Sequence, residues 1–192
     1  RHDTLFGGKL PAPTAETLRT LQNYVIDRRC DLGIATDGDA DRIGVIDDKG
    51  NFLHPNDILV LLYYYLVKYK GWHGAAVRNI CTTHLLDRVA ESFGQSCYEV
   101  PVGFKHISAK MFATDAIIGG ESSGGMAVRG HIKGKDGIYA SALSGNDRRN
   151  RDAALPDHGN HTQRIRRYGT GRKGLSFQSS EKGGNLQADP GR

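Results

Sequence analysis

The sequence predicts a layered α/β fold, and three observations carry that prediction. Between residues 51 and 120, segments of helical period alternate with short apolar runs at the spacing of strand and helix in turn. Two further apolar runs, residues 32–35 and 43–46, bracket a single acidic loop, so strands hold it at both ends. Glycines follow most of the periodic segments, among them Gly50, Gly71 and Gly94, where helices and hairpins need a stop.

Taken in order, residues 1–13 read as a loop rich in Gly and Pro. Thr14 is a plausible N-cap, and Leu18, Leu21, Val25 and Ile26 give helical spacing as far as about Arg28. The strand 32–35, the acidic loop and the strand 43–46 follow. Asp47-Asp48-Lys49-Gly50 then reads as a hairpin turn into residues 51–54. Pro55 opens a strongly apolar helix that ends near Lys70, with Gly71 as its stop. Residues 75–80 form a strand. Thr83 caps a helix over 84–93 with Leu85, Leu86, Val89 and Phe93 inward, and residues 96–100 form the next strand. A helical pattern (Ile107, Met111, Phe112) leads to a buried strand ending at Gly119 and Gly120. Asp136 is a good N-cap for a last helix that begins at Gly137 and stops at Leu143.

Composition narrows the function. The formal net charge of +5 invites a nucleic-acid reading, but ten of the 26 Lys/Arg and five of the 21 Asp/Glu fall in residues 144–192. That leaves 16 of each in residues 1–143, so the part expected to fold has no basic excess and nucleic acid is not expected as its partner. Cys30, Cys81 and Cys97 are too few and too scattered for a zinc site or a disulfide framework, which fits the cytoplasm. The longest apolar run, residues 58–67, is too short to span a bilayer, so no membrane partner is expected. No signal peptide is recognisable at the start.

Three stretches carry chemistry. Asp37, Asp39 and Asp41 alternate on a tight loop, with Gly38 and Ala40 as small spacers and Arg42 after them. Carboxylates so close repel one another unless a cation compensates, and hard oxygen ligands suit Mg²⁺ or Ca²⁺. An EF-hand is excluded, because Arg42 and Asp48 stand where that loop needs Gly and Glu. A phosphatase-type Asp-x-Asp nucleophile and a plain solvated turn are the remaining readings. The second stretch, residues 100–107, runs from a strand end through Gly103 into a helix start with Lys105 beside it, a natural anion site or an ordinary turn with a surface Lys. In the third, Gly119-Gly120-Glu121-Ser122-Ser123-Gly124-Gly125, glycines bring the backbone close while Glu and Ser match sugar hydroxyls; the bland alternative is a Gly/Ser hairpin.

Asp37-Gly38-Asp39-Ala40-Asp41-Arg42 resembles the metal loop of the α-D-phosphohexomutases, the phosphoglucomutase/phosphomannomutase family, with Ala40 in place of the usual Gly. Phe6 to Glu16, Val102-Gly103-Phe104-Lys105 and Gly120-Glu121-Ser122-Ser123-Gly124 resemble further hexomutase segments in the family's order, with Gly125 where many members have His. The resemblance implies a layered α/β/α mixed-sheet domain of phosphohexomutase type plus a partial second one. Residues 1–50 would be the end of domain 2 with its metal loop, and 51–143 domain 3 with its sugar-binding loop. Residues 144–192 are expected to be a disordered basic tail, foreign to the fold.

It also implies Mg²⁺ on Asp37, Asp39 and Asp41, with Arg42 catalytic at the phosphoryl group. Lys105, Gly120, Glu121, Ser123 and Gly124 would bind the hexose phosphate. The implied activity is Mg-dependent interconversion of hexose 1-phosphate and hexose 6-phosphate. Domains 1 and 4 of the family, which bring the phosphoserine and the phosphate clamp, have no counterpart and would be partners, so this chain alone is expected to be inactive. A competing expectation is a non-catalytic metal- or phosphosugar-binding module whose basic tail docks a partner.

Overall fold

The computed structural model describes residues 3–154. Its first layer is an antiparallel sheet of β1 (Leu32–Thr36), β2 (Ile43–Asp47) and β3 (Phe52–Leu53), with Leu32 opposite Asp47 and Thr36 opposite Ile43. That register closes β1 and β2 directly around the acidic loop. The β2–β3 turn is held by Asp47, whose carboxylate accepts the N–H groups of Lys49 (3.0 Å) and Asn51 (2.7 Å). Helix α1 (Arg19–Arg28) lies on this sheet, burying Val25 against Leu18 and Ile46. Gly33 permits the close approach, since a Cβ there would fall 2.6 Å from Val25 Cγ2. Thr14 is not the cap of α1: it closes a separate turn by accepting the Thr17 N–H (3.3 Å), and the helix starts four residues later than its spacing suggests.

The second sheet has the order β5-β4-β6-β7, made of β4 (Ala76–Asn79), β5 (Cys97–Val100), β6 (Ile118–Gly120) and β7 (Met126–Val128). The first three run parallel and β7 is antiparallel to β6. Adjacent glycines in β6 show the layering. A Cβ on Gly119 would strike Ile107 and Met111 of α4 (Phe104–Thr114), and one on Gly120 would strike Leu59 of α2 (Pro55–Lys68). Successive strand residues face opposite sides, so α4 covers one face and α2 the other, an α/β/α sandwich.

Helix α2 is buried over most of its surface, because it packs on β2, on β6, on α3 (Leu85–Ser92) and on α5 (Gly137–Ala154). His54 caps it, its Nδ1 accepting the Asn56 N–H at 3.2 Å. Among the described residues no helix is long and apolar enough to cross a membrane. Thr83 supports the start of α3 through the Leu85 N–H (3.1 Å).

Two further expectations change. Phe112 belongs to the outer side of α4 and is 77 % exposed, with Lys133 Nζ 4.4 Å from its ring centroid. Helix α5 does not stop at Leu143 but continues to Ala154. Its second half lacks an apolar stripe, which hid it from a periodicity reading, yet no proline interrupts it before Pro156. Helix α5 thus runs into the stretch expected to be the tail, residues 144–192, of which 155–192 lie outside the described residues.

Chain connectivity positions the site. From β4 the chain turns through α3 to β5, then crosses back through α4 to β6 on the far side of β4. The carboxyl ends of β4 and β6 thus flank a topological switch point, where open parallel sheets form their binding crevice.

Candidate functional site

The acidic loop is built around Asp37. Its Oδ1 accepts the backbone N–H groups of Asp41 (3.0 Å) and Arg42 (3.1 Å), and its own carbonyl accepts from Ala40 N–H (3.2 Å). This wrapping forces Ala40 to φ +59°, a left-handed conformation that side-chain-bearing residues rarely adopt. The result gathers the acids: one carboxylate oxygen each from Asp37, Asp39 and Asp41 lie within 4.8 Å of one another.

Two cations lean on the trio. Arg42 Nε lies 3.3 Å from Asp37 Oδ2 and 3.6 Å from Asp41 Oδ1, and Lys135 Nζ forms an ion pair with Asp41 Oδ2. The Arg42 contacts are close enough for charge attraction but miss hydrogen-bond geometry, so the buried Asp41 Oδ1 and Arg42 Nε have no hydrogen-bond partner. An unpartnered buried carboxylate oxygen in a group of three close acids fits a hard divalent cation better than it fits a plain surface turn. The residues present fit Mg²⁺.

The Glu121 loop is the tight connection between β6 and β7. Glu121 N–H donates to Gly125 O (2.9 Å), and Gly124 N–H to Glu121 O (3.1 Å). The Glu121 carboxylate accepts from Ser123 Oγ (3.4 Å) on one oxygen and from Asn79 Nδ2 (3.3 Å) on the other. Asn79 ends β4, so this second contact bridges the switch point.

Backbone hydrogen bonds stitch the two loops together. Ile43 N–H donates to Gly124 O (3.3 Å), Arg42 pairs with Gly125 as an isolated antiparallel bridge, and Gly137 N–H donates to Ala40 O (2.9 Å). Glycine is required at two of these crossings. A Cβ would come 2.8 Å from Ile43 O at Gly124, where φ is +100°, and 2.8 Å from Ala40 O at Gly137. At Gly125 a side chain would collide with the stem of Lys135, the residue that reaches Asp41. Asp136 anchors the turn carrying Lys135. Its Oδ1 accepts the Tyr139 N–H (2.8 Å) and its Oδ2 pairs with His131 Nε2 (2.7 Å), and these bonds, the Tyr139 amide first, hold its carboxyl below the usual carboxylate range.

Of the residues singled out from sequence, Asp37, Asp39, Asp41, Arg42, Glu121, Ser123 and Gly124 therefore form one continuous wall. Lys105 is exposed in the first turn of α4, at the same carboxyl edge of the sheet, and among the described residues no hydrogen bond or ion pair joins it to the acidic loop or to Glu121. Gly120 is filled in by Leu59, so packing against α2 already demands glycine there. Two members of the wall escape a reading of the sequence. Lys135 is signalled only by its Lys-Asp-Gly segment, which reads as a helix start; Asn79 gives no signal, since an Asn closing an apolar strand is ordinary.

The family model for phosphoglucomutase/phosphomannomutase alpha/beta/alpha domain III matches residues 54–152, and that for domain II matches residues 1–50. The chain is 34 % identical over 140 residues to phosphoglucomutase 2 of Saccharomyces cerevisiae, covering 70 % of this chain and 24 % of that one. It is 31 % identical to a phosphoglucomutase/phosphomannomutase of Thermococcus kodakarensis, covering 73 % and 30 %. A crystal structure from Thermus thermophilus described as a phosphomannomutase superposes with a TM-score of 0.69 at 35 % identity, covering 78 % of this chain and 37 % of the other. The match thus spans 24 % to 30 % of the length of these two sequence relatives. On these matches, the chain belongs to the phosphoglucomutase/phosphomannomutase family.

Proposed function

We propose that this chain supplies the metal-holding and sugar-recognising share of a phosphohexomutase, an intramolecular phosphotransferase that interconverts hexose 1-phosphate and hexose 6-phosphate. The observation that carries the reading is the acidic trio joined by backbone hydrogen bonds to the Glu121 loop. Asp37, Asp39 and Asp41 would hold Mg²⁺, and when bound the ion supplies a Lewis acid that polarises the transferring phosphoryl group.

The chain's own residues do the rest. Asp37 organises the loop through two amides while keeping Oδ2 for a cation. Arg42 turns Nε toward the acids, and its side chain, 43 % exposed, leaves the outer guanidinium open to a phosphoryl oxygen. Glu121 and Ser123 face the crevice with acceptor oxygens and a hydroxyl for vicinal sugar hydroxyls. Lys105, at the start of α4 beside the helix N-terminus, would meet the phosphate at the far end of the sugar. Gly120 and Gly124 would let the loop backbone approach the sugar, and a Cβ at either would also meet Leu59 or the Ile43 backbone. The alternative of a non-catalytic binding module is not favoured, since family similarity runs through both the metal half and the sugar half.

Calorimetric titration tests the assignment. Asp39→Asn is expected to weaken Mg²⁺ binding about tenfold or more, the effect of losing one charged ligand of three. Equal Mg²⁺ affinity in Asp39→Asn and the parent chain would overturn the reading.

A further inference from the structure

The end of β4 carries a polar side chain that the family reading does not use. Asn79 is buried, with 3 % of its surface exposed, and both ends of its carboxamide are engaged. Its Oδ1 accepts from the Cys81 N–H (3.0 Å) and from Thr82 Oγ (2.7 Å), and its Nδ2 donates to Glu121 Oε1 (3.3 Å). The Cys81 amide can only donate, so it fixes which end of the carboxamide is oxygen and turns the NH₂ toward Glu121. An aspartate at this position would make the same turn with Cys81 and Thr82. Only Asn makes that turn and also donates across the switch point.

We infer that Asn79 is a positioning residue for sugar recognition: its buried amide, locked by the Cys81–Thr82 turn, holds one Glu121 oxygen so that the carboxylate presents a fixed face to the sugar hydroxyls. The inference rests on the reading of Glu121 as the residue that meets those hydroxyls. Ser123, the other partner of Glu121, is exposed and at 3.4 Å, so it cannot fix the carboxylate alone. Without the Asn79 donor, Glu121 would lose its defined orientation, and part of the binding free energy would go into ordering it.

Asn79→Asp changes one atom group, keeps both acceptor contacts at the turn, and sets an oxygen against Glu121. Binding of glucose 1-phosphate in the presence of Mg²⁺, measured by calorimetry on the full chain, is expected to fall about tenfold. The loss should disappear in the Glu121→Gln background, where the amide at 121 can donate to the new carboxylate and the charged acceptor for the sugar is already gone. Mg²⁺ affinity should stay within about twofold, because the acidic loop is untouched. Should Asn79→Asp fold poorly, Thr82→Val removes one of the two donors that lock the carboxamide and should give a smaller loss, again only when Glu121 is present. A loss of equal size in both backgrounds, or none in either variant, overturns the inference and leaves Glu121 in its role. If Glu121→Gln alone binds glucose 1-phosphate as tightly as the parent chain, the site reading fails and takes this inference with it.

Discussion

Among the described residues, the Arg78 cluster and the acidic loop both bring several acids to a cation, and they are built to opposite ends. On β4, between its two parallel neighbours, the buried guanidinium of Arg78 donates from Nε to both oxygens of Asp87 (3.0 Å each), from Nη1 to Glu99 (2.8 Å) and from Nη2 to His84 Nδ1 (2.8 Å). Nearly every donor has a matched acceptor. In the acidic loop, Arg42 and Lys135 pair with Asp37 and Asp41, Asp39 joins neither ion pair, and two buried polar atoms are left without a hydrogen bond. Satisfied charge holds a structure together, whereas charge left short marks a place that something else completes. Burial raises the Asp87 carboxyl, but the hydrogen bonds from Arg78, Cys97 and His84, together with the Arg78 charge, outweigh it and leave Asp87 below the ordinary aspartate value. Burial, then Asp87, pushes the neighbouring Cys97 thiol up, so this cluster offers no thiolate nucleophile.

Removing the cation from the satisfied cluster should have the largest effect. Arg78→Met leaves Asp87 and Glu99 without their partner and is expected to cost about 2–3 kcal/mol in urea unfolding, less than a fully enclosed pair because both acids keep some exposure. Asp87 is depressed in the folded chain, so its contribution is present above the ordinary aspartate pKa and is lost as pH falls through its lower folded value. The gap between Arg78→Met and the parent should therefore narrow on acidification below about pH 4. In the acidic loop the sign reverses. Asp39 is exposed, and Asp39→Asn relieves repulsion, so without metal its melting temperature should equal or exceed that of the parent, while added Mg²⁺ should stabilise the parent more.

Legibility in the sequence followed the same division. The acidic trio was readable because three acids in five residues between apolar runs have little structural use apart from holding a cation, and the strands around it followed from the same pattern. The Glu121 loop was readable from its glycines, although the reason for them was only partly visible. Gly120 and Gly124 answer to Leu59 and to the Ile43 backbone, contacts made across more than sixty residues of chain. Long-range packing of that kind leaves no periodicity. Asn79 was invisible for the same reason, since its meaning lies in a partner 42 residues away. The second half of α5 was hidden because a helix with a polar surface has propensity but no stripe.

Lys135 sharpens the contrast at smaller scale. Its ammonium occupies Asp41 Oδ2, one of the oxygens that a metal would approach, so it competes with the ion for the same charge. Lys135→Met keeps the stem packed over Gly125 and removes the competitor. Metal-free stability should fall by less than about 1 kcal/mol, while Mg²⁺ affinity should rise roughly three- to tenfold in the same titration. A fall in Mg²⁺ affinity would show that the ammonium supports the metal geometry instead of opposing it.

Ala40 sets the finest test of how the acidic loop is held. The left-handed conformation at φ +59° costs an L-residue roughly 1–2 kcal/mol, and glycine escapes that cost. Glycine also gives the unfolded chain about 0.5–1 kcal/mol more entropy to lose, which works the other way. The two terms nearly cancel, so Ala40→Gly should be more stable by no more than about 1 kcal/mol, read as a small rise in the urea midpoint at constant slope. The strain is kept because the Asp37 carbonyl holds the Ala40 N–H before the turn, while Asp37 Oδ1 and the Gly137 amide hold the backbone after it. If the midpoint drops instead, those hydrogen bonds depend on the stiffness that Ala40 lends the loop, and the acidic trio is held by local rigidity as much as by its long-range ties.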